Sequence, residues 1–205
     1  MSAIQRSMLM QQKFSIRSLI KPATFILCTL PLLVAIYAVS QDQLGANPIE
    51  GLLVLTGEWG LRLLLITLAV TPLQFMFKWL WVAKLRRMLG LFAFFYAVMH
   101  MLIWLVLDQG LDWSSVISEV LEKKYIAVGL IALLGLLPLA LTSNRWAIRK
   151  LGKKWKPLHR MVYPLTLLVV VHFLWQVRAN DIMEPAMYLA ALLVLLGWRF
   201  FKKLS

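Results

Sequence analysis

The chain has 205 residues, 61% hydrophobic and 15% charged, with a formal charge of +13 and a mean hydropathy of +0.77. That composition excludes an ordinary soluble domain. Its apolar residues run in long blocks rather than in 3.6-residue stripes, so its helices are apolar all round and need lipid or protein on every side. The positive charge does not point to nucleic acid. The basic residues stand in short clusters between apolar blocks, the pattern of membrane topology.

Six segments are long enough, or nearly so, to cross roughly 30 Å of hydrocarbon as helices. They cover 23–40, 53–75, 88–107, 125–142, 159–177 and 185–200, the last being the shortest apolar stretch. The expectation is an all-α, polytopic bundle of six transmembrane helices forming one domain over 1–205, with no internal repeat evident by eye.

The first segment holds Cys28, the one cysteine, which excludes an internal disulfide, a CxxC pair and a cysteine-bound cluster. It reads as a packing residue. Ala38-Val39-Ser40 resembles a signal-peptidase site, but the basic leader is long for a signal n-region, so an uncleaved span is expected. In the second segment Glu58 and Arg62 lie four residues apart, a spacing that suits an intrahelical ion pair.

The third segment reads RRMLGLFAFFYAVMHMLIWLVLD and carries His100, 13 residues past Arg87. After it, DWSSVISEVLEKK (112–124) places Trp113, Val116, Ile117, Val120 and Leu121 on one helical face, with Asp112 as N-cap. A short amphipathic helix on the membrane surface is expected, with a docking face for a partner as a compatible role. The loop 144–158 is rich in Lys and Arg around Trp146 and Trp155. It reads mainly as a topology determinant, and its charge also suits a flavin phosphate or a quinone site near His159. The fifth segment reads KPLHRMVYPLTLLVVVHFLW and carries His159 and His172, the latter 12 residues past Arg160.

Charge sets the orientation. Eighteen of the 22 basic residues flank one side of the six segments, and all nine carboxylates lie on or near the other. The positive-inside rule then puts both termini in the cytoplasm.

The three histidines are His100, His159 and His172. His100 and His172 fall at matching depth, each about 20 Å from the basic end at 1.5 Å per residue. An ionisable residue so deep is costly and faces the bundle interior. Two imidazoles at equal height on two helices suit a b-type haem bound from both faces. Arg62 would sit near the same height, as a counter-ion to a haem propionate or as half of a structural pair with Glu58. His159 lies 13 residues before His172, a spacing fit for a second haem. Thirteen residues turn its side chain by about 140° on an ideal helix, however, with Pro164 able to adjust the geometry. The third segment offers Arg86 and Arg87 where a fourth histidine would be needed. His159 is therefore equally a ligand or the cap of a helix end.

TGEWGLRLLLITLAVTPLQ, RRMLGLFAFFYAVMH and KPLHRMVYPLTLLVVVHFLW together resemble the MsrQ (formerly YedZ) family, and more broadly the ferric-reductase-like transmembrane domain shared with NADPH oxidases. The resemblance covers nearly the whole chain. It implies one b-type haem or two, with His100, His159 and His172 as the haem-associated histidines, and FMN as a further cofactor. It also implies an inner-membrane location and electrons taken from the quinone pool or a cytosolic flavin reductase. The expected acceptor is a periplasmic molybdopterin-dependent subunit that reduces methionine sulfoxide. The chain departs from the wider oxidase pattern in lacking the fourth histidine and any FAD- or NADPH-binding domain, so it is not expected to oxidise a pyridine nucleotide alone. Two other readings stay open: a stand-alone ferric or quinone-linked reductase, and a small transporter using His100 and His172 as proton relays.

Overall fold

The computed structural model describes residues 3–177 and 181–204, with side chains for 19–177 and 181–201. The side chains of Arg6, Lys13, Arg17, Lys202 and Lys203, which the topology argument counted, lie outside the described residues. Nine α-helices follow one another among the described residues: α1 Ala3–Ser40, α2 Pro48–Phe77, α3 Arg86–Leu102, α4 Trp113–Glu122, α5 Lys124–Leu141, α6 Arg145–Leu151, α7 Trp155–Arg160, α8 Val162–Gln176 and α9 Met183–Leu204. Among the described residues six stretches are long and apolar enough to cross a membrane: Leu19–Ser40, Pro48–Phe77, Val82–Asp108, Lys124–Leu141, Arg145–Gln176 and Met183–Phe201. All six match the expected segments, and the chain is a multi-pass membrane protein. The sixth runs further than its apolar stretch suggested.

Local chemistry explains the boundaries. Asn47 caps α2 through its side chain, which accepts from the Glu50 amide, with Pro48 in the first turn. Asp112 caps α4 by accepting from the Ser114 amide at 3.1 Å, as its sequence predicts. The basic loop 144–158 is more ordered than a loop: Asn144 caps α6 through the Ala147 amide at 2.8 Å, and Gly152 (φ +49°) ends that helix. The fifth crossing breaks at Met161, between α7 and α8. Pro164 accounts for the break, since it has no N–H to give Arg160 and its ring crowds that carbonyl.

Helix α2 packs chiefly on α3, and α5 chiefly on α8; α9 lies against α8 and α2, and α1 against α2 and α3. One core collects Leu63, Leu64, Leu89, Ala93, Tyr96, Leu136 and Leu165. A second joins Leu61, Leu65 and Leu68 to Val170 and Leu192. Cys28 is buried in the first core, as expected, and its carbonyl accepts the Tyr96 hydroxyl at 2.8 Å, tying α3 to α1. The buried hydroxyls of Thr56, Thr67 and Thr166 each donate to the carbonyl four residues back, at 2.7 Å. Such back-bonding removes an unpaired donor from a medium that offers no water. Phe25, Ile26, Leu30, Leu33, Ile131, Leu134, Leu193 and Val194 are exposed, a belt of apolar surface that suits lipid.

Candidate haem site

A cavity opens among α2, α3, α5 and α8, lined by Gly57, Ala97, His100, Gly129, Val169 and His172. The matched depth read from the sequence is realised as contact: the His100 and His172 rings are 6.1 Å apart, centroid to centroid, with planes at 89°. Each ring is anchored from behind. Nδ1 of His100 lies 2.9 Å from the Leu53 carbonyl, and Nδ1 of His172 lies 2.7 Å from the Tyr125 carbonyl. A carbonyl oxygen only accepts, so both rings carry their proton on Nδ1 and keep the Nε2 lone pair free.

The donor set fits a haem and not a bare metal ion. Among the described residues no third histidine, cysteine or carboxylate joins the pair as a metal-ligand cluster. Two imidazoles ligating one iron would leave further positions to be filled, which a porphyrin would supply. Two imidazoles that held one metal through bonds of about 2 Å would have ring centroids roughly 6 Å apart, the separation of His100 and His172.

The mouth of the cavity lies at the carboxylate-rich end. Glu58, Asp108, Glu119 and Lys123 line it, and the amphipathic α4 contributes Glu119 and Val120. Helix α4 thus does more than lie on a surface, although its Trp113, Ile117 and Leu121 stay exposed. The Glu119 carboxylate accepts from Lys123 and holds that ammonium above the usual lysine range.

Arg62 does not line this cavity. Its Nη2 pairs with Glu58 at 2.6 Å and stands 3.5 Å from Glu184. Its Nε donates to the Tyr188 hydroxyl at 2.7 Å. The Glu58–Arg62 pair anticipated from the sequence is present, and α9 completes it. Lys123 is the cation lining the cavity, and the sequence reading passed over it because nothing in 123–124 distinguishes it from a flanking lysine.

His159 lies apart from the pair. Its Nε2 is 3.0 Å from the Thr142 hydroxyl, and its ring stacks on Trp155 at 4.1 Å. The Thr142 hydroxyl gives its one proton to the Pro138 carbonyl at 2.6 Å, so it accepts from His159, which therefore carries its proton on Nε2. Nearby, Arg199 lies over the Tyr163 ring at 4.6 Å and donates from Nη2 to the Leu68 carbonyl at 3.2 Å. Its Nε is buried without a hydrogen-bond partner among the described residues. Arg86 lies close enough to feel both Arg199 and His159. Every carboxylate of the chain is at the other end.

A six-span membrane bundle with two adjacent imidazoles in its interior defines the class, and the comparisons place the chain within it. Residues 56–170 match the family described as "Ferric reductase like transmembrane component". Relatives named protein-methionine-sulfoxide reductase heme-binding subunit MsrQ are 50% identical over 165 residues in Xanthomonas axonopodis pv. citri, covering 80% of this chain and 75% of the relative. In Azospira oryzae the identity is 45%, with 91% and 81% covered. In Bordetella pertussis it is 45%, with 88% of each chain covered. No solved structure matches. The chain belongs to the MsrQ family of ferric-reductase-like transmembrane proteins.

Proposed function

We propose that this protein is the membrane cytochrome subunit of a methionine sulfoxide reductase system, holding one b-type haem between His100 and His172. The observation that carries the reading is the pair itself: two half-buried imidazoles 6.1 Å apart, each with Nδ1 committed to a helix carbonyl. The relatives' names support it, since they are called haem-binding subunits.

When bound, the haem supplies reversible one-electron chemistry; the chain supplies ligation, placement and dielectric. His100 and His172 offer neutral nitrogen from α3 and α8. The surrounding Leu61, Leu64, Ala97, Leu133 and Val169 exclude water from the iron's environment. Lys123 stands at the mouth where propionates would need a cation, while Arg62 holds α2 to α9.

Orientation follows from charge, with the basic end and both termini in the cytoplasm and the bilayer being the bacterial inner membrane. Electrons then run outward. They come from the quinone pool or a cytosolic flavin reductase and go to a periplasmic molybdopterin-containing subunit that carries the catalytic site. The buried Nε of Arg199, unpartnered among the described residues and with Arg86 and His159 nearby, supports an anionic group at that end, in this reading an FMN phosphate.

The test is the visible spectrum of the detergent-purified protein, oxidised and dithionite-reduced, with haem and flavin quantified per chain. A low-spin b-type spectrum lost in both His100→Ala and His172→Ala is expected. A colourless protein after growth with ample haem, or a spectrum that survives both substitutions, sinks the reading.

A further inference from the structure

The two histidines are held in the same way by two different helices. In both cases the accepting carbonyl lies 47 residues before the histidine: Leu53 for His100 and Tyr125 for His172. In both cases the residue four positions after that carbonyl is a glycine, Gly57 on α2 and Gly129 on α5. The two helix pairs concerned, α2 with α3 and α5 with α8, are the two most extensively packed in the bundle. The halves thus repeat in contact geometry where the residues themselves show no repeat by eye.

A helix explains why glycine matters at that position. Residue i+4 lies one turn above the carbonyl of residue i, so its side chain screens the approach to that oxygen. A Cβ on Gly57 would stand 3.1 Å from His100 Nδ1 and 3.2 Å from its Cε1. On Gly129 it would stand 2.7 Å from His172 Nδ1 and 2.8 Å from its Cε1. In both cases the nearest atom is the nitrogen that makes the backbone bond, a clash on Gly129 and a tight contact on Gly57. Among the described glycines these two are the ones whose Cβ would meet a histidine ring; on Gly90 of α3 a Cβ meets nothing nearer than the Thr67 methyl at 3.6 Å.

We propose that Gly57 and Gly129 are a matched pair of positioning residues for the haem. By leaving the Leu53 and Tyr125 carbonyls bare, they let each imidazole give its Nδ1 proton to rigid backbone, which fixes Nε2 as the iron-binding nitrogen on both faces. This rests on the His100–His172 ligation proposed above. A donated Nδ1 proton makes an imidazole a more basic ligand and favours ferric iron, so two such bonds lower the reduction potential together. The halves differ in one respect: the Leu53 carbonyl also accepts the Thr56 hydroxyl at 3.2 Å, so His100 shares its anchor. His172, with the shorter bond and the tighter glycine, is the more firmly fixed ligand.

The experiment compares Gly57→Ala, Gly129→Ala and Gly90→Ala in the full chain, purified in detergent and loaded with haem. Haem affinity, reduction midpoint and the low-spin electron paramagnetic resonance spectrum are read, with circular dichroism checking the fold. Gly129→Ala is expected to weaken haem binding by about 10–100-fold and raise the midpoint. Gly57→Ala should do the same to a smaller extent, and Gly90→Ala, outside the cavity lining, should change nothing. Unchanged affinity, midpoint and resonance in both Gly57→Ala and Gly129→Ala, beside loss of haem in His172→Ala, overturn the proposal while the ligation stands. Should the alanine variants fail to fold, electron–nuclear double resonance on the unaltered oxidised protein decides. Nδ1 proton and nitrogen couplings characteristic of a hydrogen bond to a carbonyl on both ligands support the proposal, and those of an unbonded N–H on either overturn it. An unaltered protein without bis-imidazole ligation overturns the ligation and the proposal with it.

Discussion

Replacing Arg62 by glutamine separates a structural ion pair from a cofactor ligand. Arg62 ties two helices: it pairs with Glu58 on its own helix at 2.6 Å, and on α9 it meets the Tyr188 hydroxyl at 2.7 Å and Glu184 at 3.5 Å. A charge-assisted hydrogen bond contributes about 1.5–3 kcal/mol when shielded. The Arg62 side chain is 34% exposed and that of Glu184 43%, so solvent screening cuts this to roughly 1–2 kcal/mol in total. Most of it comes from Glu58, whose side chain is only 16% exposed and would be left as an unpaired carboxylate. Glu58→Gln should therefore recover much of the loss in the double variant, with a coupling of about 1 kcal/mol, or roughly fivefold in the folding equilibrium. The assay is reversible unfolding in mixed micelles followed by circular dichroism, with haem per chain measured on the same samples. Additive single effects would refute the pairing argument. Unchanged stability with haem lost to the extent seen in His172→Ala would refute it differently, by making Arg62 a haem contact.

Three further outcomes are expected. Tyr96→Phe leaves the ring's packing intact but removes the bond to the Cys28 carbonyl, costing about 1 kcal/mol in the same unfolding assay; equal stability would show that the α1–α3 tie contributes nothing. Leu68→Ala removes a fully buried side chain between α2, α8 and α9; because lipid is as apolar as leucine, the transfer contribution drops out and the cavity alone costs roughly 1–2 kcal/mol, measured the same way. The tie from Lys123 to Glu119 has a raised lysine pKa, so its contribution is fully present below the ordinary lysine value of about 10.4 and fades only as the pH climbs through the raised one. Amide exchange at the end of α4, corrected for intrinsic rate, should stay flat through neutral pH and rise only in strong alkali; a rise below about pH 9 would contradict this.

The sequence by itself determined the six spans, the direction of the charge asymmetry, the amphipathic α4 with its Asp112 cap and the matched depth of His100 and His172. Each follows from one-dimensional rules: apolar run length against bilayer thickness, the placement of charge, and a fixed rise per residue. The Glu58–Arg62 pair was legible for the same reason, since neighbours four apart on a helix meet whatever surrounds them. Contacts between helices were not legible, because spacing along the chain does not say which faces turn toward each other. Only the tertiary structure showed that Glu184 and Tyr188 complete the Arg62 network, that Arg62 stands outside the histidine cavity while Lys123 lines it, and that His159 is committed to Thr142 and Trp155. It also decided what Gly57 and Gly129 are for. A glycine in an apolar span reads as a small residue among many, and its role emerges only when a histidine from another helix occupies the space a Cβ would take.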